Sequence, residues 1–514
     1  MSNSLTPRMS KWRERLWPVY PEEMNIFLPM VVIMFSVLFN YTVARNVKDS
    51  LLVNSLGSSG QVLPWVKLGL VTPCSILAVI GYAKLSNILS KQKLYFATLL
   101  PFAVYFFLFG FVLYPMHEHF NLSVSWIKSC QQAYPLLKDF FPAVAYWNYS
   151  LFYMMAELWG NMGIALLFWQ FANQITPTVQ AKRFYPVYGF WSNLGLVAAG
   201  SLTAFSENFL KPERLASGEK DFGPQLRLYC ACMVLACIAI VCAYWWLNTK
   251  VLTDAQKGMD AKGKKSKPKL SLKESAVYLL KSRYLMYIAI LMLAYGITIN
   301  IVEVTWKESV GNYFSDPITG IRDKNAYNAF MGKMFIGTGI TTMVFILFSK
   351  NFVQSLGWRF SANITPWVTM VTGVGFFLFV VFKDYLGGFC ELFGTSTLTV
   401  AVGLGLVQNV LTKGVKYALF DPTKEMAYIP LDEEEKVKGK AAIDVIGGRA
   451  GKSGGSVLQL VCNAATGGLG VPQLSVPVLG GILVGITWWW IWAVNKLAIA
   501  YAKKVMETEH IKDV

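Results

Sequence analysis

Charged residues and histidine are scarce in this sequence. Only 15% of its 514 residues are Asp, Glu, Lys or Arg, and only three are His. Apolar side chains make up 54% of the chain, and the mean hydropathy is +0.42. Soluble proteins have about a quarter of their residues charged, so this composition excludes an ordinary soluble enzyme and predicts a polytopic membrane protein.

Patterns for metal and redox chemistry are also missing. The eight cysteines include no CxxC pair, and six of them lie in apolar segments, where cysteine packs as a small apolar residue. The chain has only three histidines, and two of them, His117 and His119, lie in one predicted outer loop. This scarcity disfavours a catalytic metal site. A disulfide between Cys130 and Cys390, both in predicted outer segments, stays open. We therefore expect no cofactor and no metal.

A complete P-loop is absent as well. Residues 447–456 read GGRAGKSGGS, but a P-loop needs a glycine five residues before Gly451, where Ile446 stands. The glycines Gly447, Gly451 and Gly455 instead form a small-xxx-small ladder, a pattern typical of helices that pack closely in membranes. This ladder can bring Lys452 close to the other half of the chain, where a lysine can contact phosphate without hydrolysing it.

What the sequence does contain is a series of apolar segments long enough to cross a bilayer. They predict an all-α polytopic protein with twelve transmembrane helices in two six-helix halves, residues 1–248 and 284–514. A basic linker, residues 249–283, joins the halves and contains KGKKSKPK. The spans centre on about 24–48, 62–84, 92–114, 145–170, 183–205, 225–248, 284–307, 326–349, 360–382, 395–418, 441–466 and 473–500.

The distribution of Lys and Arg predicts the orientation. Short cytoplasmic loops retain these residues and external loops are poor in them, so the basic linker is expected on the cytoplasmic side. An even number of spans on each side of it then places both termini in the cytoplasm.

The first and seventh spans carry matching charged ends. Residues 38–52 read LFNYTVARNVKDSLL and residues 294–310 read AYGITINIVEVTWKESV. Superposing residues 48–50 (Lys-Asp-Ser) on 307–309 (Lys-Glu-Ser) also places Tyr41 opposite Asn300. Internal duplication is common in secondary transporters, and six plus six spans in parallel repeats is the major-facilitator plan, with the substrate near the midplane and alternating access.

Ionisable residues at membrane depth are costly unless they line a cavity, so they are the candidates for substrate binding. Helical spacing places Tyr41, Arg45 and Lys48 on one face, and Asn300, Glu303 and Lys307 on another. Lys413 and Lys416 lie close enough to a span end for their ammonium groups to reach the interface. The remaining candidates at depth are Lys67, Glu157, Lys333, Arg449 and Lys452.

Cations outnumber the buried carboxylates Glu157, Glu303 and Asp444, so the cavity should be electropositive and its ligand a polyanion. Three aromatic residues with polar neighbours can stack on a base: Tyr41, Tyr188 and Trp306. The sequence does not choose among the three.

Four segments carry a resemblance to a known family: ARNVKDSLLV, WGNMGIALLFWQFANQ, TKGVKYALFDPTKEMAYIPLDEEEKVKGKAAIDV and GGRAGKSGGS. With them the chain resembles the ATP/ADP translocases of obligate intracellular bacteria and plastids. The resemblance implies a multi-pass antiporter of the bacterial inner membrane that exchanges ATP for ADP, with phosphate as a candidate companion of ADP. It also implies a need for charge at Lys67, Glu157, Glu303 and Lys452. We expect a monomer in the lipid bilayer, with no nucleic-acid partner.

Two other classes remain open. One is an exchanger of the same fold for other organic anions or phosphate esters, or a broader nucleotide importer. The other is a membrane enzyme or a nucleotide-gated structural protein, which the absent P-loop and the small amount of soluble sequence disfavour.

Overall fold

Helices make up nearly all of the part of the chain that the structure describes. A computed structural model describes residues 19–176, 178–214, 220–252, 282–431, 443, 447–468 and 472–512. These residues form helices joined by short loops, with two isolated β-bridges. The all-α prediction is therefore confirmed. Most of the basic linker (residues 253–281) and Asp444 lie outside the described residues.

Among the described residues, ten helices are long and apolar enough to cross a membrane. They coincide with ten of the twelve segments expected from the sequence. They are α1 (Pro21–Val53), α2 (Val62–Ile88), α3 (Lys91–Leu113), α4 (Trp147–Ile175), α6 (Gly223–Val251), α7 (Arg283–Tyr313), α8 (Lys324–Phe348), α9 (Ser355–Val381), α10 (Thr397–Ala427) and α12 (Ser475–Met506).

Two further helices occupy the predicted fifth and eleventh spans: α5 (Thr178–Phe209) and α11 (Gly448–Gly468). Neither belongs to the ten apolar helices. Both pack inside the protein, α5 against α1 and α8, and α11 against α7 and α2. Their polar residues thus face other helices, as Ser456 and Gln459 of α11 do, both fully buried. The twelve-span count stays a prediction.

Local sequence marks where several helices begin. Ser90 and Ser396 accept hydrogen bonds from the backbone N–H groups of Lys93 and Thr399, at the starts of α3 and α10. Asp323 accepts two such bonds at the start of α8. These side chains satisfy N–H groups that have no partner within the helix. Near the start of α9 the helix direction breaks at Gly357, whose φ of 79° suits glycine.

The interior is organised around α1 and α7, which are the most buried of the ten helices. Five of the ten helices contain a π-helical segment, including the turns Lys67–Val71 in α2 and Lys416–Phe420 in α10. Such turns often occur at functional sites, where they change the direction of the side chains. Both turns begin at a lysine.

Candidate functional site

A cluster of buried charges joins α1 to α7. Asp49 of α1 accepts ion pairs from two lysines, Lys48 at 3.2 Å and Lys307 at 2.8 Å. All three side chains are at most 5% exposed. Because a buried carboxylate or ammonium group is costly unless it is paired, Asp49 helps to neutralise both lysines, and they in turn neutralise Asp49.

Glu303 of α7 lies next to a second group of cations. Its Oε1 atom lies 2.6 Å from the Arg45 guanidinium and 2.9 Å from the Lys307 ammonium. Lys413 of α10 lies further away, at 3.9 Å. The Lys413 ammonium is buried, and among the described residues it has no hydrogen-bond partner. The expectation that Lys413 reaches the interface is therefore wrong, because its side chain points into the protein.

Glu157 of α4 completes the cluster. Its carboxylate lies 2.9 Å from the Lys48 ammonium, which also sits 3.5 Å from the centre of the Tyr153 ring. The ring face supplies a cation–π contact to a lysine that has little water around it. We call the seven residues Arg45, Lys48, Asp49, Glu157, Glu303, Lys307 and Lys413 the central cluster.

Lys67 lies beside the central cluster and links three helices. Its ammonium donates to Asn300 of α7 at 2.5 Å, and the Asn300 amide donates to Ser456 of α11 at 3.1 Å. Lys67 comes from α2, so this chain of hydrogen bonds connects the N-terminal set of helices (α1–α6) with the C-terminal set (α7–α12). The predicted candidates Lys67 and Asn300 are thus in direct contact.

The glycine ladder of α11 packs against α7 of its own set. A Cβ at Gly296 would lie 2.8 Å from the Cα of Gly451, and a Cβ at Gly455 would lie 2.9 Å from Asn300. The predicted close approach of helices therefore occurs. Lys452, next to Gly451, is exposed and lies near enough to Glu157 for their charges to interact. The side chain of Arg449 lies outside the described residues.

The three aromatic candidates have different surroundings. The Tyr41 ring is partly exposed and lies across Gly160, one turn from Glu157 on α4. Tyr188 is buried against Phe27, with ring centres 5.1 Å apart. Trp306 is buried and donates to the Val402 carbonyl at 2.9 Å. Tyr188 and Trp306 therefore pack within the protein, and Tyr41 alone of the three lies beside the cluster with exposed surface.

Lys333 does not join the central cluster. It is exposed on α8, and no ion pair or hydrogen bond of the described residues connects it to the cluster. Lys333 was predicted to bind substrate because it stands early in the eighth span. Helical periodicity alone does not tell which side of α8 faces the cluster.

Asp49 is the residue that the sequence-based charge balance missed. That balance counted Glu157, Glu303 and Asp444. It left out Asp49, which forms ion pairs with both lysines of the repeat, Lys48 and Lys307. The central cluster contains four cations and three carboxylates, and Lys67 and Lys452 lie next to it, so the formal surplus is three positive charges. The described residues thus support the predicted surplus of positive charge, with a different set of carboxylates.

Contacts between the two sets of helices close the predicted outer end. The Glu308 carboxylate of α7 accepts a hydrogen bond from the Gly60 backbone N–H, and it pairs with Arg322 at 2.5 Å. Arg322 also donates to the Val53 carbonyl at 2.9 Å, and Asn463 donates to Gln61 at 2.9 Å. We call these six contacting residues the outer latch: Val53, Gly60, Gln61, Glu308, Arg322 and Asn463.

The loop between α3 and α4 covers part of the outer latch. Asp139 accepts a hydrogen bond from Ser59 at 2.9 Å, next to Gly60. Burial raises the pKa of the Asp139 carboxyl above its ordinary value. In the same region Cys130 is a free thiol, as is the buried Cys390, so the open question of a disulfide between them is answered by two unpaired cysteines.

Comparison with known proteins adds the family. The sequence matches the family described as TLC ATP/ADP transporter over residues 2–501. The chain belongs to this family. Its relatives include an ADP,ATP carrier protein 1 of Chlamydia trachomatis, 41% identical over 95% of this chain and 92% of the relative. That of Rickettsia bellii is 38% identical over 98% of both chains, and a chloroplastic carrier of Arabidopsis thaliana is 39% identical over 91% of this chain and 73% of the relative.

Solved structures show the same fold. The nucleoside transporter NupG has a TM-score of 0.53 at 13% identity, covering 91% of this chain and 99% of NupG. A bacterial homologue of the iron transporter ferroportin, in an inward-facing state, has a TM-score of 0.54 at 11% identity, covering 95% of this chain and 99% of that one. This member of the TLC family is therefore a multi-pass membrane transporter with a major-facilitator-like fold, and not an enzyme.

Proposed function

We propose that this protein exchanges ATP for ADP across the bacterial inner membrane. The observation that carries the proposal is the buried, cation-rich central cluster between α1 and α7, in a chain whose relatives bear the name ADP,ATP carrier. A formal surplus of positive charge in a partly dry site favours a polyanionic ligand. Nucleotide phosphates supply that charge.

Phosphate recognition falls to the cations with exposure or unused donors. Lys67 and Lys452 lie at the edge of the central cluster, and the Lys413 ammonium has no hydrogen-bond partner within the described ranges. Arg45 and Lys307 are already paired with Glu303. In this proposal phosphate oxygens take over part of the role of Glu303, so that bound nucleotide and internal ion pairs alternate.

The adenine ring is assigned to Tyr41. Its ring is partly exposed, lies across Gly160 and stands one helical turn from Arg45 on α1. An aromatic ring at this place offers a stacking face beside the central cluster. This assignment leaves Tyr188 and Trp306 as packing residues.

Transport then follows from rocking of two six-helix halves, residues 1–248 and 284–514. We place α5 and α11 across the membrane as well, for a total of twelve spans with both termini in the cytoplasm. The polar residues of α5 and α11 agree with the packing of these helices against other helices. Because the outer latch contacts are formed, this conformation of the transporter is closed towards the outside. Nucleotide then enters the cluster from the cytoplasmic side.

Reconstitution tests the proposal. Liposomes with the purified protein are loaded with ADP, ATP, AMP, a sugar phosphate or buffer, and the uptake of labelled ATP is followed together with ATP hydrolysis. We expect uptake that requires internal ADP or ATP and leaves ATP intact. Lys67→Gln should abolish most of the uptake, whereas the exposed Lys383→Gln should behave as the unmodified protein.

Other results would overturn the proposal. Equal uptake into empty and ADP-loaded liposomes would mean a uniporter or a proton-driven importer. Stronger exchange with the sugar phosphate than with ADP would mean a different phosphate ester as substrate.

A further inference from the structure

A short amphipathic helix connects α9 to α10 at their predicted outer ends. This connecting helix is Lys383–Glu391. It does not continue α9, because Phe382 between the two helices has φ −98° and ψ 29°, outside the helical range. On its other side Gly394 has a φ of 65°, which suits glycine. These two breaks allow the connecting helix to take its own direction between two membrane helices.

Four apolar side chains of this segment are strongly exposed. Tyr385, Phe389 and Leu392 are spaced i, i+4 and i+7, so they lie within an arc of about 60° at about 100° per residue. Phe393 follows, and its ring centre lies 5.3 Å from that of Phe389. We call these four residues the apolar stripe. They are between 55% and 86% exposed, and contiguous exposed apolar surface marks an interaction site.

The other sides of the connecting helix have different surroundings. Cys390 is 2% exposed and faces the protein. Asp384 and Glu391 are exposed and lie on a third side, about 110–130° from the middle of the stripe. A helix with one apolar side, one charged side and low net hydrophobicity is typical of helices that lie in the plane of a membrane interface.

The apolar stripe continues the lipid-facing surface of α9. Exposed apolar side chains follow one face of α9 to its outer end, at i, i+7, i+11, i+18 and i+22: Phe360, Trp367, Val371, Leu378 and Phe382. The last of them, Phe382, contacts Tyr385 of the stripe, with ring centres 6.4 Å apart. The surface that meets lipid along α9 therefore extends onto the connecting helix without a gap.

The long segments of the chain that the structure does not describe are predicted on the other side of the membrane. Those of more than ten residues are 1–18, 253–281 and 432–442, and the distribution of Lys and Arg predicts all three in the cytoplasm. Lipid, in contrast, surrounds the outer ends of α9 and α10. Lipid is therefore the occupant that the position of the stripe favours.

The corresponding loop of the N-terminal half behaves differently. Between α3 and α4 the helix Val124–Ala133 packs onto the protein, since Ile127 is buried and Gln131 donates to the Gly57 carbonyl at 3.1 Å. The connecting helix of the C-terminal half instead turns its apolar stripe away from the protein.

We propose that the connecting helix lies in the plane of the outer leaflet, on the side of the outer latch, with the apolar stripe inserted among the lipids. The helix carries two carboxylates and one lysine, so attraction to anionic headgroups does not drive the insertion. Burial of aromatic and leucine side chains at the interface does. The inserted helix would hold the outer ends of α9 and α10 at the level of the headgroups.

The test uses the full-length protein in liposomes without nucleotide. Spin labels are attached one at a time through a genetically encoded amino acid, which leaves the native cysteines in place. They stand at positions 385 and 389 of the stripe, at positions 384 and 391 of the charged side, and at position 318. Collisions with oxygen, which dissolves in lipid, and with a water-soluble nickel complex are measured. Ile318 is the matched control, because it is an apolar residue of another outer loop, 94% exposed and outside any helix.

We expect more collisions with oxygen than with nickel at positions 385 and 389, at a depth of about 5–10 Å into the boundary of headgroups and acyl chains. The reverse is expected at positions 384, 391 and 318. A label that prevents a monodisperse preparation is moved to position 392 of the same stripe.

Two results would overturn the proposal. Nickel access at positions 385 and 389 as high as at position 318 would mean that the stripe lies in water. Low access to both reagents would mean that protein covers it, and dipolar broadening that dilution with unlabelled protein removes would identify a second copy of this chain. No nucleotide enters the readout, so failure here is distinct from failure of the proposed function.

Discussion

The two places that the sequence repeat superposes, residues 48–50 and 307–309, share their lysines and differ in their carboxylates. Lys48 and Lys307 are both buried and both contact Asp49. The counterpart of Asp49 is Glu308, whose carboxylate instead contacts Gly60 and Arg322 in the outer latch. The repeat therefore places two cations symmetrically, while its two carboxylates serve different purposes, one in the cluster and one in the latch.

The neighbouring residues depart from symmetry in the same way. The superposition places Val304 opposite Arg45 and Ala44 opposite Glu303, so the Arg45–Glu303 pair joins positions that have no charged counterpart. Ser50 contacts Asn328 of α8 at 3.1 Å, whereas Ser309 donates to Thr305 within its own helix at 3.1 Å. Symmetric sequence thus becomes an asymmetric site, in which Arg45, Asp49 and Ser50 of α1 contact the C-terminal set.

The largest effect is expected from Asp49→Asn. It removes the carboxylate shared by Lys48 and Lys307 and leaves two buried cations close together. We expect a loss of about 3–5 kcal/mol in unfolding free energy and a fall of exchange by about a hundredfold or more. Thermal unfolding and liposome exchange measure the two effects. The exposed Asp384→Asn is the control, and exchange near the unmodified rate in Asp49→Asn would contradict a shared role for this carboxylate.

The next largest effects are expected from Arg45→Ala and Lys307→Ala, which test whether the central cluster binds the phosphate groups of the nucleotide. Each lost ionic contact should cost about 1.5–3 kcal/mol, or roughly ten- to hundredfold in ATP and ADP affinity. AMP has fewer anionic oxygens, so its binding should weaken less. Competition against labelled ADP gives these affinities, with the exposed Lys383→Ala beside them. An unchanged preference for ATP over AMP in both variants would assign these residues to the fold or the gate.

A smaller effect is expected from Glu308→Asp. This change gives Glu308, the counterpart of Asp49 in the outer latch, the shorter side chain that Asp49 has. The carboxylate retracts from Gly60 and Arg322, and the outward-open population should rise about fivefold, for a loss of about 1 kcal/mol. Distances between site-specific spin labels at positions 128 and 318 report that opening. Glu118→Asp shortens an exposed outer carboxylate as a control. A distance distribution that does not change would show that Glu308 is not needed for closure.

An effect of the same size as that of Glu308→Asp is expected from Gly160→Ala, which tests Tyr41, the N-terminal partner of the Tyr41–Asn300 correspondence. A Cβ at Gly160 would overlap the Tyr41 ring, so the ring must move. If the ring stacks on adenine, nucleotide affinity should weaken by about 1 kcal/mol, roughly fivefold. Gly189→Ala is the control, because its Cβ would meet no atom within 4 Å. Equal nucleotide affinity in both variants would remove Tyr41 from the base site.

Much of this site was predictable from the sequence. Charge at membrane depth identified Arg45, Lys48, Lys67, Glu157, Glu303 and Lys307, because lipid does not tolerate an unpaired ion and the residues stood in apolar runs. Lys333 lies outside the central cluster and stays a prediction, and the expectation that Lys413 reaches the interface was wrong, because Lys413 is buried although it stands near a predicted span end. Distance from the end of a span bounds how deep a residue lies, but not which way its side chain points.

The sequence by itself determined that the chain crosses a membrane, where most of its helices lie and that two lysines stand at equivalent places in a duplicated segment. The length of apolar segments, the 3.6-residue period of a helix and the cost of ions in lipid depend on local sequence, so the sequence alone shows them. Only the tertiary structure decided that Asp49 lies between those lysines while Glu308 reaches the outer latch, and that Tyr188 and Trp306 pack away from the cluster. The physical reason is that a helix defines which side chains share its face, whereas the choice of partner depends on the helix packed opposite, which can be hundreds of residues away in sequence.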